Sequence, residues 1–315
     1  MNRLTLLAAA AALCFASAAA AQNMHDSSGF TPGPQNDPET CRDLWQGVGL
    51  PQYTRDDERD TTLVCHTKYV LSHNNAAKGP DWVLEHLTAA QVSGRNTRPK
   101  GQKFQPDPAL PENGRAVDDD YKKSGGFDRG HQAPSADFSE DVDWMKESFF
   151  LSNIVPQVGA GFNRDIWATL EGHVRDIAKA RGELYVITGP VYPAETGGKT
   201  ITIGESENAC QNTIVLDLPS RPSICGGKAT CEDGVTVPSA MFKLIYDPNM
   251  RRANVFLMPN INHRDVAGFT NSLDYIERYQ VTVQALEDVT HLDFFPALSA
   301  SERRPIEAQC AAVIN

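Results

Sequence analysis

The chain has 315 residues, 41% of them hydrophobic and 22% charged, with 29 basic against 40 acidic side chains and a formal net charge of −11. That length allows one large domain or two small ones, and the acidic balance excludes a protein that coats nucleic acid by bulk charge. No linker divides the sequence and no internal repeat stands out.

Arg3, the apolar stretch from Leu4 to Phe15 and the small residues "SAAAAQ" read as a secretory signal cleaved after about Ala21. The run is shorter than the roughly 20 residues a membrane span needs, and Leu13 stands where lipid attachment at Cys14 wants a small residue. A secreted or periplasmic protein without membrane contact is expected. Residues 22–40, "QNMHDSSGFTPGPQNDPET", are polar and rich in Pro, Gly and Ser, and so read as a flexible leader to a single domain at 41–315. Removing the signal leaves Cys41, Cys65, Cys210, Cys225, Cys231 and Cys310. An even number in an oxidising compartment favours three disulfides out of fifteen pairings, with Cys41–Cys65, Cys225–Cys231 and Cys210–Cys310 preferred.

Residues 61–71, "TTLVCHTKYVL", alternate as one strand, and "DWVLEHLTAAQV" from Asp81 reads as strand or helix leading into an Arg-rich loop. Between Arg95 and His131 lie eight Lys or Arg against six Asp or Glu, which suits an enzyme cleft that touches a polyanion briefly. "DVDWMKESFFLSN" from Asp141 has near-helical spacing. "NRDIWATLEGHVRDIAKARG" is the clearest helix, with Ile166, Leu170, Val174 and Ile177 in one stripe and Gly182 placed to end it. Four β-branched runs follow as buried strands, from Glu183, Asn212, Met241 and Ala253, before a stretch of mixed signals towards Phe295. This order of elements predicts an α+β fold, a mixed sheet flanked by helices.

The chemistry concentrates in "GGFDRGHQAPSADF", residues 125–138. Cutting a phosphodiester needs a base to activate water, cations for charge on the phosphoryl oxygens and a metal at the leaving oxygen. His131 is mostly neutral at neutral pH, and Asp128 or a backbone carbonyl is expected to fix its tautomer. Arg129 offers a permanent fork for phosphate oxygens, and Gly130 lets the backbone approach a ligand closely. On these letters alone, a structural histidine beside a surface ion pair explains the stretch equally well. No G-x-S-x-G elbow and no HExxH motif is present, which excludes serine-hydrolase and zincin readings.

"DRGHQAP" resembles the signature of the DNA/RNA non-specific endonucleases of the ββα-metal, or His-Me finger, superfamily. "ESFFLSNIVPQ", "FNRDIWATLE", "VITGPVY", "VPSAMFKLIYD" and "FFPAL" follow in that family's order, so the resemblance runs from about Trp82 to Leu298. It implies a mainly antiparallel sheet with a ββα-metal motif and an endonuclease that hydrolyses DNA and RNA through phosphate contacts. His131 would be the general base, with Arg129 and the upstream Arg98, chosen over Arg95, at the phosphate. Asn163 would be the one direct protein ligand of Mg²⁺, or of Mn²⁺ in its place, and Glu171 would accept from the metal's waters. Asn153, Gln157 and Arg175 would lie near the substrate. Other readings stay open: Asn163 as a helix N-cap, Glu171 with Arg175 as an i, i+4 ion pair, and Asn153 and Gln157 as turn-binding residues. A glycine-rich "VGAGF" before Asn163 is expected to loosen that loop. A homodimer is compatible with the resemblance, as are two alternative functions, a weakly catalytic extracellular nucleic-acid binder and a phosphodiesterase for small substrates.

Overall fold

The computed structural model describes residues 33–310 apart from 56–58, 194–199, 204–209, 211–213, 219–220, 228–230, 232, 267, 270 and 309. The expected signal and the start of the leader lie outside these residues. The end of the leader is packed onto the domain: residues 34–41 form two 3₁₀ turns, and buried Asn36 donates to the Leu63 and Ala109 carbonyls. No helix among the described residues is long and apolar enough to cross a membrane.

Thirteen strands are described. β1 (Gln52–Tyr53) pairs only with β13 (Leu292–Asp293). The central sheet takes β2 (Thr61–Cys65), β3 (Tyr69–Asn74), β4 (Gly79–Thr88), β7 (Glu183–Val191), β10 (Ala240–Asp247), β11 (Arg252–Pro259) and β12 (Gln280–Val281). They lie in the order β12-β11-β10-β7-β4-β3-β2, every neighbouring pair antiparallel. The stretch expected as one strand at 61–71 is a hairpin, because the chain reverses at residues 66–68 and His66 N–H bonds back to the Tyr69 carbonyl. The "DWVLEHLTAAQV" segment is strand as far as Thr88, whose side chain then caps a short helix, Ala89–Val92.

The central strands are apolar on both sides because helices and loops cover both faces. One large core holds Trp82, Leu84, Ile187, Phe242, Leu244 and Phe256, and the buried stripe Leu170, Val174 and Ile177 of the helix Ala168–Arg181 packs into it. The run expected as a buried strand from Asn212 is a strand, β9 (Ile214–Asp217), with Ile214 and Leu216 buried in that core. It pairs with β8 (Thr200–Ile203) outside the central sheet and leaves Val215 exposed. The mixed signals near the end resolve into helices Ser272–Arg278 and Val283–Thr290 separated by β12. The disulfides join the preferred pairs, Cys41–Cys65, Cys210–Cys310 and Cys225–Cys231.

His73 of β3 has no exposed surface, and its Nε2–H donates to the Gly114 carbonyl at 2.9 Å. Burial lowers its pKa to about 4. An unfolded chain would take up a proton there near the ordinary pKa of about 6.5, so the neutral ring favours the fold in full above that value. The contribution is lost as pH falls from 6.5 towards 4. Over that window the wild type is expected to lose up to about 3 kcal/mol more than a His73→Gln variant. Urea unfolding of both proteins between pH 7 and 4.5 checks this.

Candidate active site

The motif is built on a separate hairpin, β5 (Phe127–His131) with β6 (Ile154–Val158), in the register His131 opposite Ile154 and Asp128 opposite Gln157. Side chains alternate along a strand, so Phe127, Arg129 and His131 share one face while Asp128 and Gly130 share the other. Among the described residues β5 has a sheet neighbour on one side only.

On the first face, the His131 ring meets Phe149 edge-on, with centroids 5.0 Å apart, and lies 5.4 Å from Phe104. Arg98 rests on the same two rings, 4.5 Å from Phe149 and 5.4 Å from Phe104. Burial, reinforced by the Arg98 charge, lowers the His131 pKa to about 3, and the buried Nε2 has no hydrogen-bond partner. This is a neutral imidazole with a free ring nitrogen. Arg129 stacks on Phe104 and Tyr121 and bonds to Asp118 Oδ1 at 2.7 Å.

On the second face, Asp128 does not touch His131, as alternation requires. Its carboxylate accepts from Asn163 Nδ2 at 2.9 Å and from Arg164 Nε and Nη2 at 2.6 and 2.5 Å. Burial opposes ionisation, but these bonds outweigh it and hold the carboxyl below the ordinary aspartate value. An ionised carboxylate can only accept, so the Asn163 amide is oriented with nitrogen towards Asp128 and oxygen away. Asn163 is not the N-cap, since helical backbone already begins at Phe162 and runs on through the long helix to Arg181. It sits in an irregular turn, Gly159–Trp167, that includes non-helical Ala160 and Gly161. The glycines do not leave this turn loose: Gly161 has φ +77° and is pressed on the Asn262 side chain, and its carbonyl bonds His263 Nδ1.

Glu171 lies one helical turn past Trp167, and burial pushes its carboxyl up to about 7, opposed by Lys243 and reinforced by Asp137. Arg175 pairs with Asp137 at 2.8 Å, which displaces the simple ion pair with Glu171. Beneath them, buried Lys243 of β10 donates to Thr188 Oγ1 at 2.6 Å. Glu85 of β4 is 1% exposed with both oxygens unpartnered, and burial raises its pKa well above the carboxylate range. Sequence reasoning missed this cluster. Its signal was present in single charges inside otherwise apolar strands, "WVLEHL" and "MFKLIY".

Asn153 and Gln157, expected near the substrate, have no exposed surface. Asn153 bonds the Ala133 N–H and the Ala133 and Ser148 carbonyls, each at 2.9 Å, and so clamps the segment after His131. Gln157 lies flat over Gly130, where an added Cβ would fall 2.2 Å from its side-chain carbon. Gly130→Ala is expected to lower stability by about 2 kcal/mol through overpacking, and a second change, Gln157→Ala, should restore most of it. Thermal melts of the single and double variants measure this.

A family model for DNA/RNA non-specific endonuclease matches residues 49–301. The mitochondrial nuclease of Saccharomyces cerevisiae is 30% identical over 258 residues, 79% of this chain and 70% of that protein. The human protein named nuclease EXOG, mitochondrial, is 30% identical over 281 residues, 86% of this chain and 66% of that protein. A crystal structure of the EndoG/EndoGI complex matches with a TM-score of 0.61 and 28% identity, covering 86% of this chain and 96% of that one. These relatives correct the expectation of a secreted or periplasmic protein: the yeast and human nucleases carry mitochondrial names, which points to a mitochondrial rather than an exported setting. With its antiparallel sheet, its β5–β6 hairpin and its following helix, the chain belongs to the DNA/RNA non-specific endonuclease family and is a phosphodiester hydrolase.

Proposed function

We propose that the protein is a Mg²⁺-dependent endonuclease that cuts DNA and RNA with little base preference, with His131 as general base. The observation that carries this reading is the neutral, unpartnered His131 nitrogen on a strand face shared with Arg129 and beside Arg98, with the strand's other face orienting Asn163. Asn163 fits the role of metal ligand because its nitrogen is committed to Asp128, leaving a hard carbonyl oxygen of the kind Mg²⁺ prefers. Glu171 would accept from waters around the ion. When bound, the ion supplies stabilisation of charge on the departing oxygen.

His131 removes a proton from water as the water oxygen bonds to phosphorus in line. The bond from phosphorus to the 3′ oxygen breaks, leaving a 5′-phosphate and a 3′ hydroxyl that takes its proton from solvent. Arg98 and Arg129 balance charge on the phosphoryl oxygens. Arrival of the phosphate anion offsets the Arg98 charge, the smaller of the two causes that lower the His131 pKa, and so raises its basicity. Asp128, Asn153 and Gln157 act through other groups by holding Asn163 and the His131 segment in place.

Plasmid nicking by the purified protein, with and without EDTA, tests this reading. His131→Ala is expected to lose at least about 100-fold in rate with an unchanged metal titration, and Asn163→Ala to need more Mg²⁺. Undiminished cleavage by His131→Ala would remove the general base. Faster cutting of small diesters than of polymers would favour a small-substrate phosphodiesterase.

The acid limb of kcat/KM is assigned to Glu171. Its carboxylate is lost as pH falls through about 7, whereas free His131 stays neutral down to about 3. Activity should therefore decline below about pH 7, and Glu171→Gln should give a lower profile without that limb. An unchanged limb in the variant would assign it to another group.

A further inference from the structure

The His131 face of β5 carries a third cation beyond Arg98 and Arg129. Arg221, from the segment after β9, places its guanidinium 5.7 Å from the Phe127 ring. Its Nη1 donates to the Asn260 carbonyl at 2.6 Å, and the Asn260 side chain accepts from Val158 N–H, the register partner of Phe127. Arg221 is thus fixed to the far end of the hairpin. Phe127 and Phe104 pack against one apolar cluster, so three arginines rest on aromatic rings along a single strand face: Arg98 beside His131, Arg129 next to it, and Arg221 at Phe127.

Of the three, only Arg129 has a carboxylate partner among the described residues, Asp118, while Arg98 bonds the Gln102 carbonyl. Arg221 has no carboxylate within ion-pairing reach among the described residues, is partly buried, and is made less basic by that burial alone. A partly desolvated cation without a counter-ion is a cost to the fold that a bound anion offsets. The remaining guanidinium donors suit phosphate oxygens in a way a point charge does not. Phe127 lies four residues from His131, about 13 Å along an extended strand, a span of several nucleotides rather than one.

We propose that Arg221 binds a backbone phosphate of the polynucleotide several nucleotides from the scissile one, so that the β5 face tracks the strand. The inference rests on His131 marking the point of cleavage. It makes chain length a determinant of affinity, while the chemistry at His131 proceeds without Arg221.

The test compares wild type, Arg221→Ala and Arg221→Lys on a single-stranded oligonucleotide and on bis(4-nitrophenyl) phosphate, which reaches only the scissile position. Arg221→Ala is expected to raise KM for the oligonucleotide about tenfold, the loss of one charge-assisted phosphate contact, with kcat and small-diester turnover unchanged. The slope of log affinity against log salt should fall by about 1 unit, and Arg221→Lys should retain most of that slope. Oligonucleotide binding followed by fluorescence anisotropy in EDTA gives the same comparison without turnover. An Arg221→Ala protein with wild-type oligonucleotide affinity and salt slope would overturn the proposal, as would an equal loss on both substrates. Failure of the wild type to cleave either substrate would instead sink the catalytic reading while the anisotropy comparison still decides for or against Arg221. Should Arg221→Ala not fold, Arg221→Gln keeps a donor for the Asn260 carbonyl and carries the same readouts.

Discussion

The bond from Asn163 to Asp128 joins the two halves of the site. One partner belongs to the strand that carries His131 and the other to the turn that enters the long helix. Because a carboxylate has only acceptor sites, the bond fixes which end of the asparagine amide faces outward. Arg164 holds Asp128 ionised and in place through a two-pronged contact, and Asp165 ties the same turn to Arg264. An amide free to flip could present nitrogen to a cation, so this small network is what the proposed role of Asn163 as metal ligand depends on.

The layer beneath the site is unusual for a protein core. Lys243, Glu85 and Asp137 are buried under the helix that carries Glu171 and Arg175. Such groups are costly to desolvate, and apolar side chains of similar size would pack there without that cost. Burial raises the Glu171 carboxyl, Asp137 adds to the rise and Lys243 opposes it, so its ionisation is sensitive to nearby charge.

Much of this was legible in the sequence where period and composition spoke together. The apolar runs at 183–191, 240–247 and 252–259 are strands despite the single buried charge of Lys243, and the stripe through Leu170, Val174 and Ile177 is buried as its spacing requires. The reversal at 66–68 was not legible because His66, Thr67 and Lys68 lack the usual glycine or asparagine of a turn. The helix entered near Asn163 was legible, but the bond from Asn163 to a residue 35 positions away cannot be read from local pattern. The same limit separated Asp128 from its real partner. Adjacency in sequence suggested His131, whereas strand geometry sends the two side chains to opposite sides. Asn153 and Gln157 matched the motif, but their burial could not be seen without the sheet register.

The close fit of Gln157 over Gly130 has a consequence for how the hairpin assembles. A slip of one residue between β5 and β6 would exchange the two faces, sending the imidazole to the helix side and the aspartate to the aromatic side. It would also bring a residue with a Cβ, Arg129 or His131, beneath the glutamine, where the backbone approach leaves no room for one. Glycine at position 130 thus acts as a steric key that admits a single alignment of the two strands.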